Sequence, residues 1–369
     1  MTHNHQTVCR VLMTADTVGG VWTYTVALAA ALARYDIEVA IAAMGELASE
    51  AQLAQVDALD NVTLFESTFK LEWMDDPWQD VDQAGKWLLQ LARRFKPDLV
   101  HLNNYAHGAL PWSIPVIVVG HSCVLSWWRA VQGREAPATY DAYRRAVRAG
   151  LAGADAVVAP SYSLLQSLIS DYGPFGGSGV IRNGQDPDRF QAGQKQPIIF
   201  CAGRLWDEAK NISCLVQVAP QLQWPVYVAG DTQHPDGWRV ALDHVHSFNH
   251  LGTAEMVECY AHASIYALPA RYEPFGLSVL EAALSGCALV LGDIPSLHEM
   301  WEGAAVFVPP DDAQAWANAL NDLAENAHRR QCLAAQARQR ARRLTLTAQA
   351  NRYVQLYGAL CSEHAVACG

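Results

Sequence analysis

The sequence predicts an α/β protein built from two doubly wound domains, each with a parallel sheet covered by helices. Short β-branched runs alternate with longer helical patterns along the whole chain. Several of these runs are apolar at every position, as expected of strands buried on both faces of a sheet. The chain has 369 residues, which is too long for one ordinary core and fits two domains of roughly 150–200 residues each.

The predicted strands fall into two sets, separated by a polar segment. The first set spans residues 8–14, 37–43, 98–103, 115–120 and 156–160, and the second spans residues 197–203, 225–230, 264–269, 287–292 and 304–308. Helical patterns between them include residues 23–34, 82–94, 277–285 and 312–325. The segment 183–196 contains Gly184, Pro187 and Gly193 and is the predicted linker. We therefore expect domains at 1–182 and 197–346, followed by a last helix within 347–369.

Charge and cysteine content exclude several classes of protein. The chain has 26 Lys+Arg against 37 Asp+Glu, a net charge of −11, so we expect no nucleic-acid partner. The nine cysteines include no Cys-x-x-Cys pair, which predicts reduced thiols in a cytoplasmic protein. We see no secretory signal, and no apolar run reaches the roughly 18 residues of a membrane span.

The most informative segment is 271–281, Arg-Tyr-Glu-Pro-Phe-Gly-Leu-Ser-Val-Leu-Glu, which follows a predicted strand and opens a helix. If the stretch is helical, Glu273 and Glu281 are roughly 12 Å apart, which suits contacts with two ends of an extended ligand. The backbone N–H groups of residues 275–277 would face its middle, where an anion is favoured. The alternative is a surface helix in which Glu273 only complements the helix dipole and Glu281 faces solvent.

The loop after the strand at 197–203 carries two cations, Arg204 and Lys210. At the carboxyl end of a parallel strand, an arginine fork and a lysine point charge would neutralise a diphosphate. The alternative is a pair of solvated charges that are neutralised by Asp207 and Glu208.

Two further strand ends carry candidate binding residues in the first domain. Gly19 and Gly20 form a glycine turn into a helix, which admits a phosphate or sugar against backbone amides. His121 follows an apolar strand and is expected at the ligand-binding edge, with a hydrogen bond to the backbone as the alternative. We assign no metal site: the Asp-x-Asp pair at Asp186 and Asp188 lies in the predicted linker.

Trp127, Trp128 and Arg129 begin a locally basic stretch of the first domain. Adjacent tryptophans near arginines are suited to binding a sugar face, an anionic acceptor or a membrane surface. The alternative is that one tryptophan packs inward while the arginines extend to water.

Taken together, these segments resemble the retaining glycosyltransferases of family 4, which have the two-domain GT-B fold. The matching segments are Glu273-x7-Glu281, Gly203-Arg204 with Lys210, Gly19-Gly20, Ile181-Arg-Asn-Gly-Gln-Asp186 and His121. The resemblance covers nearly the whole chain in order. It implies two facing Rossmann-like domains, with ligands bound between them and a C-terminal helix that crosses back onto the first domain.

The resemblance implies a donor site for a nucleotide-diphosphate sugar in the second domain. It implies that Glu273 binds hydroxyls of the donor sugar, that Glu281 binds the ribose, and that Arg204 and Lys210 bind the diphosphate. Sugar and phosphate are also expected to contact the backbone of four residues: Pro274, Phe275, Gly276 and Leu277. The same family pattern places Leu251 and Gly252 near the base.

From the first domain, the resemblance implies that Gly19 and Gly20 close on the diphosphate and that His121 contacts the donor sugar near the reacting centre. His121, Glu273, Arg204 and Lys210 are thus the expected catalytic residues, with no metal or other cofactor. We expect the acceptor to be a glycan, a lipid-linked molecule or a small molecule, with peripheral contact at the inner face of the membrane left open.

Three other functions remain compatible with the pattern. A sugar phosphorylase and a nucleotide-sugar epimerase can use the same two-domain fold, and a non-catalytic sensor of nucleotide sugars would keep the binding residues. The sequence does not distinguish the base, the sugar or the acceptor.

Overall fold

The computed structural model describes residues 8–233, 237–248 and 251–368, which form two compact units. The first unit contains the described chain up to Ser126, Glu135–Asn183 and the segment from Leu346 onward. The second unit contains Trp127–Arg134 and Gly184–Thr345. The sequence places Trp127–Arg134 in the first domain, whereas in the structure this segment groups with the second unit, where the indole of Trp127 contacts Asp207.

The first unit is built on a seven-stranded sheet in which every pairing is parallel. The spatial order of the strands is β3-β2-β1-β4-β5-β6-β7. Their bounds are β1 (Arg10–Asp16), β2 (Glu38–Met44), β3 (Val62–Glu66), β4 (Leu99–Leu102), β5 (Val116–Val119), β6 (Ala156–Ala159) and β7 (Gly177–Val180).

Helices cover both faces of this sheet. They are α1 (Gly20–Leu32), α2 (Glu50–Asp57), α3 (Trp78–Phe95), α4 (Val124–Gln132, which continues into the second unit), α5 (Asp141–Gly153) and α6 (Tyr162–Tyr172). The C-terminal helix also belongs to this unit and packs against α1, where Tyr353 and Tyr357 join its core. On the other face, Leu88 and Leu91 of α3 pack against Leu12.

The second unit repeats this arrangement with a six-stranded parallel sheet of order β10-β9-β8-β11-β12-β13. Its strands are β8 (Gln196–Ala202), β9 (Val226–Ala229), β10 (His246–Phe248), β11 (Ala263–Leu268), β12 (Ala288–Gly292) and β13 (Ala305–Val308). Its helices are α7 (Ile212–Val218), α8 (Thr253–His262), α9 (Leu277–Leu284), α10 (Pro295–Trp301), α11 (Ala313–Glu325) and α12 (Ala327–Ala341). The C-terminal helix of the first unit is α13 (Leu346–Cys368).

The fold class is as predicted, namely two doubly wound parallel sheets. All of the predicted strands are present, with ends within about two residues of the expected ones, the usual uncertainty of strand limits. Three strands were not predicted: β3, β7 and β10. Among the described residues, none of the helices has the length and apolar character that crossing a bilayer requires.

Candidate functional site

The predicted second-unit residues lie at the point where the strand order of the sheet reverses. From β8 the chain proceeds outward to β9 and β10, then returns to β11 on the other side of β8. In open α/β sheets ligands bind outside the carboxyl ends of the strands at such a point. The loop carrying Arg204 and Lys210 leaves β8 here, and the loop carrying Glu273 leaves β11.

Arg204 pairs with a carboxylate of its own loop. Its guanidinium lies 2.9 Å from Oδ2 of Asp207, whose Oδ1 accepts from the backbone N–H of Ala209 at 3.0 Å. Burial acts to raise the pKa of Asp207, but the nearby charges of Arg204 and Lys210 outweigh it and lower that pKa. The Asp207 carboxylate is therefore ionised and fixes Arg204 at the end of β8.

Lys210 reaches across to the neighbouring strand end and pairs with Glu273. Its Nζ lies 2.5 Å from Oε2 of Glu273, and the two side chains are only 15% and 10% exposed. The alternative in which Lys210 is a solvated loop charge is therefore wrong. This ion pair joins the ends of β8 and β11 and places opposite charges side by side.

The chain from Glu273 to Leu277 turns before it becomes helical. Gly276 has φ 85° and ψ 69°, a left-handed conformation that favours glycine, and α9 begins only at Leu277. Glu273 is therefore outside the helix, and the distance between Glu273 and Glu281 that the sequence predicts for a continuous helix does not apply. Phe275 packs into the core, while its backbone N–H donates to Oε1 of Glu273 at 3.3 Å. Pro274 is partly buried beside them.

Glu281, in the middle of α9, is not directed to solvent as the alternative required. Nε2 of Gln185 donates to its Oε1 at 2.8 Å. Burial raises the pKa of Glu281 to about 7, although the hydrogen bond from Gln185 opposes this rise. At neutral pH this carboxyl is therefore partly protonated, so it can accept a hydrogen bond from a ligand hydroxyl or donate one to it.

Leu251 and Gly252 directly precede α8. Gly252 caps this helix with extended backbone, and its N–H donates to Oε2 of Glu255 at 2.7 Å. The structure thus places the predicted base contacts at a helix start in the second unit.

In the first unit, Gly19 and Gly20 lie between β1 and α1. Gly19 caps α1 with φ 92°, a conformation that favours glycine. A Cβ added at Gly20 would have open space around it. The glycine turn therefore leaves room for another molecule at the carboxyl end of β1.

His121 follows β5 and bonds to a side chain rather than to the backbone. Its Nε2 lies 2.8 Å from Oδ1 of Asn103, which follows β4. Tyr24 contacts the imidazole edge-on, with ring centroids 4.5 Å apart. Burial lowers the pKa of His121 to about 4, so the ring is neutral near physiological pH.

The predicted acceptor-side residues lie on α4. Trp127 donates from Nε1 to Oδ1 of Asp207 at 3.3 Å, a contact within the second unit. Trp128 packs against Trp127 with ring centroids 6.0 Å apart, and the guanidinium of Arg134 lies over it at 5.3 Å. Arg129 is partly buried on the same helix. Trp127 thus belongs to the surroundings of Arg204, which favours the inward-packing alternative for one tryptophan.

Asn103 and Gln185 contact predicted site residues but were not identified from the sequence. A signal for Asn103 was present, because it is the polar last residue of the strand predicted at 98–103 and so lies at a strand end, as His121 does. Gln185 lies in the predicted linker, within the segment 181–186 that carries part of the family resemblance, but its position along the chain does not indicate a contact with Glu281.

Models of two protein families match most of the chain. The family described as Glycosyltransferase Family 4 matches residues 18–189. The family described as Glycosyl transferases group 1 matches residues 196–326. Among known proteins, the chain is similar to the glycogen synthase of Mycobacterium tuberculosis (strain CDC 1551 / Oshkosh). The two are 27% identical over 297 residues, which is 72% of this chain and 68% of the relative.

Solved structures share this fold. Sucrose-phosphate synthase from Thermosynechococcus elongatus has a TM-score of 0.78 at 18% identity, covering 95% of this chain and 98% of that one. Anabaena HepE in complex with UDP-glucose has a TM-score of 0.76 at 17% identity, covering 95% of this chain and 100% of that one. The fold is therefore GT-B, and the protein is a glycosyltransferase. Its family is the one indicated by the sequence resemblance: the chain is a glycosyltransferase of the family 4 type.

Proposed function

We propose that the protein transfers a sugar from a nucleotide-diphosphate sugar to an acceptor hydroxyl with retention of configuration. The observation that carries this proposal is the largely buried Lys210–Glu273 pair in the loops that follow β8 and β11. An ammonium group and a carboxylate side by side match such a donor, since phosphate oxygens accept from a cation and sugar hydroxyls donate to a carboxylate. The UDP-glucose bound by HepE and the name of the glycogen synthase relative support a donor of this class.

The proposed chemistry is stabilisation of the departing diphosphate. The bond between the anomeric carbon and the diphosphate oxygen breaks, and negative charge grows on the leaving group. Arg204, Lys210 and the backbone N–H groups at the start of α9 stabilise this charge, so we propose that no divalent metal is needed. The acceptor oxygen bonds to the anomeric carbon on the same face, and its proton passes to the leaving diphosphate.

The other residues contribute binding in this proposal. Glu281 accepts from ribose hydroxyls, and Leu251 and Gly252 contact the base through their backbone. Gly19 and Gly20 contact the diphosphate, and His121 contacts the donor sugar. The acceptor-side residues are those on α4, namely Trp127, Trp128 and Arg129.

A donor panel tests this function. The protein is incubated with UDP-, GDP- and ADP-linked sugars, and release of the nucleoside diphosphate is measured with and without acceptors. Glu273→Gln and Lys210→Met are expected to abolish release, whereas Lys86→Met, on the exposed side of α3, is expected to leave it unchanged. Dependence on inorganic phosphate would indicate a phosphorylase, a changed sugar without an acceptor would indicate an epimerase, and no release with any donor would indicate a sensor.

We further propose that the acceptor is a glycan, a lipid-linked molecule or a small molecule, and that a lipid-linked acceptor would bring the protein to the inner face of the membrane. Flotation with anionic liposomes at low salt tests the membrane contact. Protein that stays at the bottom of the gradient would contradict it.

A further inference from the structure

Asn103 and His121 meet because they leave neighbouring parallel strands. β4 and β5 pair with Leu102 opposite Val118, so the residues after each strand emerge at the same edge of the sheet. Here Oδ1 of Asn103 lies 2.8 Å from Nε2 of His121. The contact is therefore set by the register of the sheet.

The orientation of the Asn103 amide is determined by its other neighbours. Nδ2 donates to the main-chain oxygen of Thr14 at 2.7 Å and to Oγ1 of Thr25 at 3.2 Å. A main-chain carbonyl oxygen only accepts hydrogen bonds, so the atom that faces Thr14 must be the NH2 group. The amide oxygen consequently faces His121. The backbone N–H of Asn103 also donates to Oγ1 of Thr14 at 2.7 Å, which fixes the residue on β1.

This orientation determines which imidazole nitrogen carries the proton. An amide oxygen has no hydrogen to donate, so Nε2 of His121 must be the protonated nitrogen. Burial lowers the pKa of His121 to about 4, so the neutral ring has only this one proton. Nδ1 therefore has a free lone pair, and it makes no hydrogen bond within the described part of the chain.

Tyr24 holds the ring from another side. It contacts the imidazole edge-on at an interplanar angle of 67°. Its hydroxyl donates to the Tyr353 hydroxyl at 2.7 Å and lies 3.4 Å from Nε2 of His101. Tyr24 and both of these partners are buried, so the tyrosine that contacts His121 is itself fixed.

We propose that Asn103 is a positioning residue that holds His121 in its Nε2–H tautomer and so presents Nδ1 as a hydrogen-bond acceptor for a hydroxyl of the donor sugar. The identity of that hydroxyl rests on the proposed function, whereas the tautomer does not. A preset acceptor favours a ligand with a hydroxyl at this position, because a bound ligand that excludes water without donating a hydrogen bond would leave the nitrogen without a partner.

Nitrogen-15 spectra of histidine-labelled protein test the tautomer without any substrate. The signals of His121 are those lost in His121→Gln. In the wild type we expect a protonated Nε2 and an unprotonated Nδ1 near neutral pH. Asn103→Ala is expected to mix the two tautomers, and Asn103→Asp, which keeps an acceptor oxygen, to preserve Nε2–H. A wild-type ring protonated at Nδ1, or an unchanged tautomer in Asn103→Ala, would overturn the proposal.

Kinetics with a matched control test the consequence for turnover. Asn61 also donates through Nδ2 to two main-chain oxygens of the first unit, at 2.9 and 3.0 Å, but far along the chain from His121. We expect kcat/KM to fall about 10- to 100-fold in Asn103→Ala and to stay within about twofold in Asn61→Ala. Wild-type turnover in Asn103→Ala would overturn the inference. The expected tautomer in a wild type that transfers no sugar would instead reject the proposed function.

Discussion

Removing the charge of Lys210 isolates a carboxylate that the fold keeps largely out of water. The Lys210 and Glu273 side chains are 15% and 10% exposed, with Nζ and Oε2 2.5 Å apart. After Lys210→Met, the Glu273 carboxylate keeps the hydrogen bond from Phe275 N at 3.3 Å. Breaking a fully buried pair from one side costs about 3–5 kcal/mol. Since some water reaches both groups, we expect Lys210→Met to lower the free energy of unfolding by about 2–4 kcal/mol.

The double variant Lys210→Met/Glu273→Gln separates stability from activity. With both charges removed, no buried charge is left without its partner, so we expect most of the lost stability to return. Transfer should not return, because each group is proposed to contact the donor. Urea unfolding followed by fluorescence measures the free energy of unfolding, and release of the nucleoside diphosphate measures transfer.

Arg10 and Glu38 provide a matched control pair. Their charged atoms lie 3.1 Å apart, but the side chains are 36% and 63% exposed, so the coupling free energy should be about 0.2–1 kcal/mol. If the coupling free energy between Lys210 and Glu273 is no larger than that of Arg10 and Glu38, burial does not strengthen the Lys210–Glu273 pair, and the reasoning is refuted. Wild-type transfer by the double variant would refute the role of the pair in donor binding.

Four further predictions concern stability. Gly276→Ala, which forces a side chain into φ 85°, should destabilise the fold by about 1–2 kcal/mol in thermal unfolding. Gly230→Ala should destabilise the fold more than Gly276→Ala does, since the added Cβ would lie 1.9 Å from a main-chain oxygen. Gly358→Ala, in open space on α13, should be neutral or stabilising by about 0.5–1 kcal/mol; a loss there as large as at Gly276 would contradict this reasoning. The raised pKa of Glu281 means that between about 4.5 and 7 the folded state holds a proton that the unfolded chain has released. The free energy of unfolding should therefore fall as pH rises through this window, and urea midpoints of Glu281→Gln should show a flatter pH dependence.

The buried strands and the residues that follow them were predictable from the sequence. β5 and β11 are buried along their whole length, so an uninterrupted apolar run marks each one. β3, β7 and β10 lack this signal. β3 and β7 have intermediate and exposed positions along their length, and β10 has only three residues. Each of these strands lies at an edge of its sheet, where packing on both faces is incomplete.

The partners of the site residues were less predictable than their positions. For Lys210, the sequence offered Asp207 and Glu208 as neighbours, whereas the structure pairs it with Glu273, 63 residues away. For His121, a backbone partner was the alternative, and the structure provides Asn103 from the adjacent strand. Such pairs depend on which strands are neighbours and in which register, and neither can be obtained from the spacing of residues along one chain.

The most direct test of the donor site is a crystal structure of the protein with a nucleotide-diphosphate sugar bound. We expect the diphosphate oxygens within hydrogen-bonding distance of both Arg204 and Lys210, and a sugar hydroxyl on the Glu273 carboxylate. A diphosphate bound elsewhere, with the Lys210–Glu273 pair untouched, would contradict the proposed mechanism.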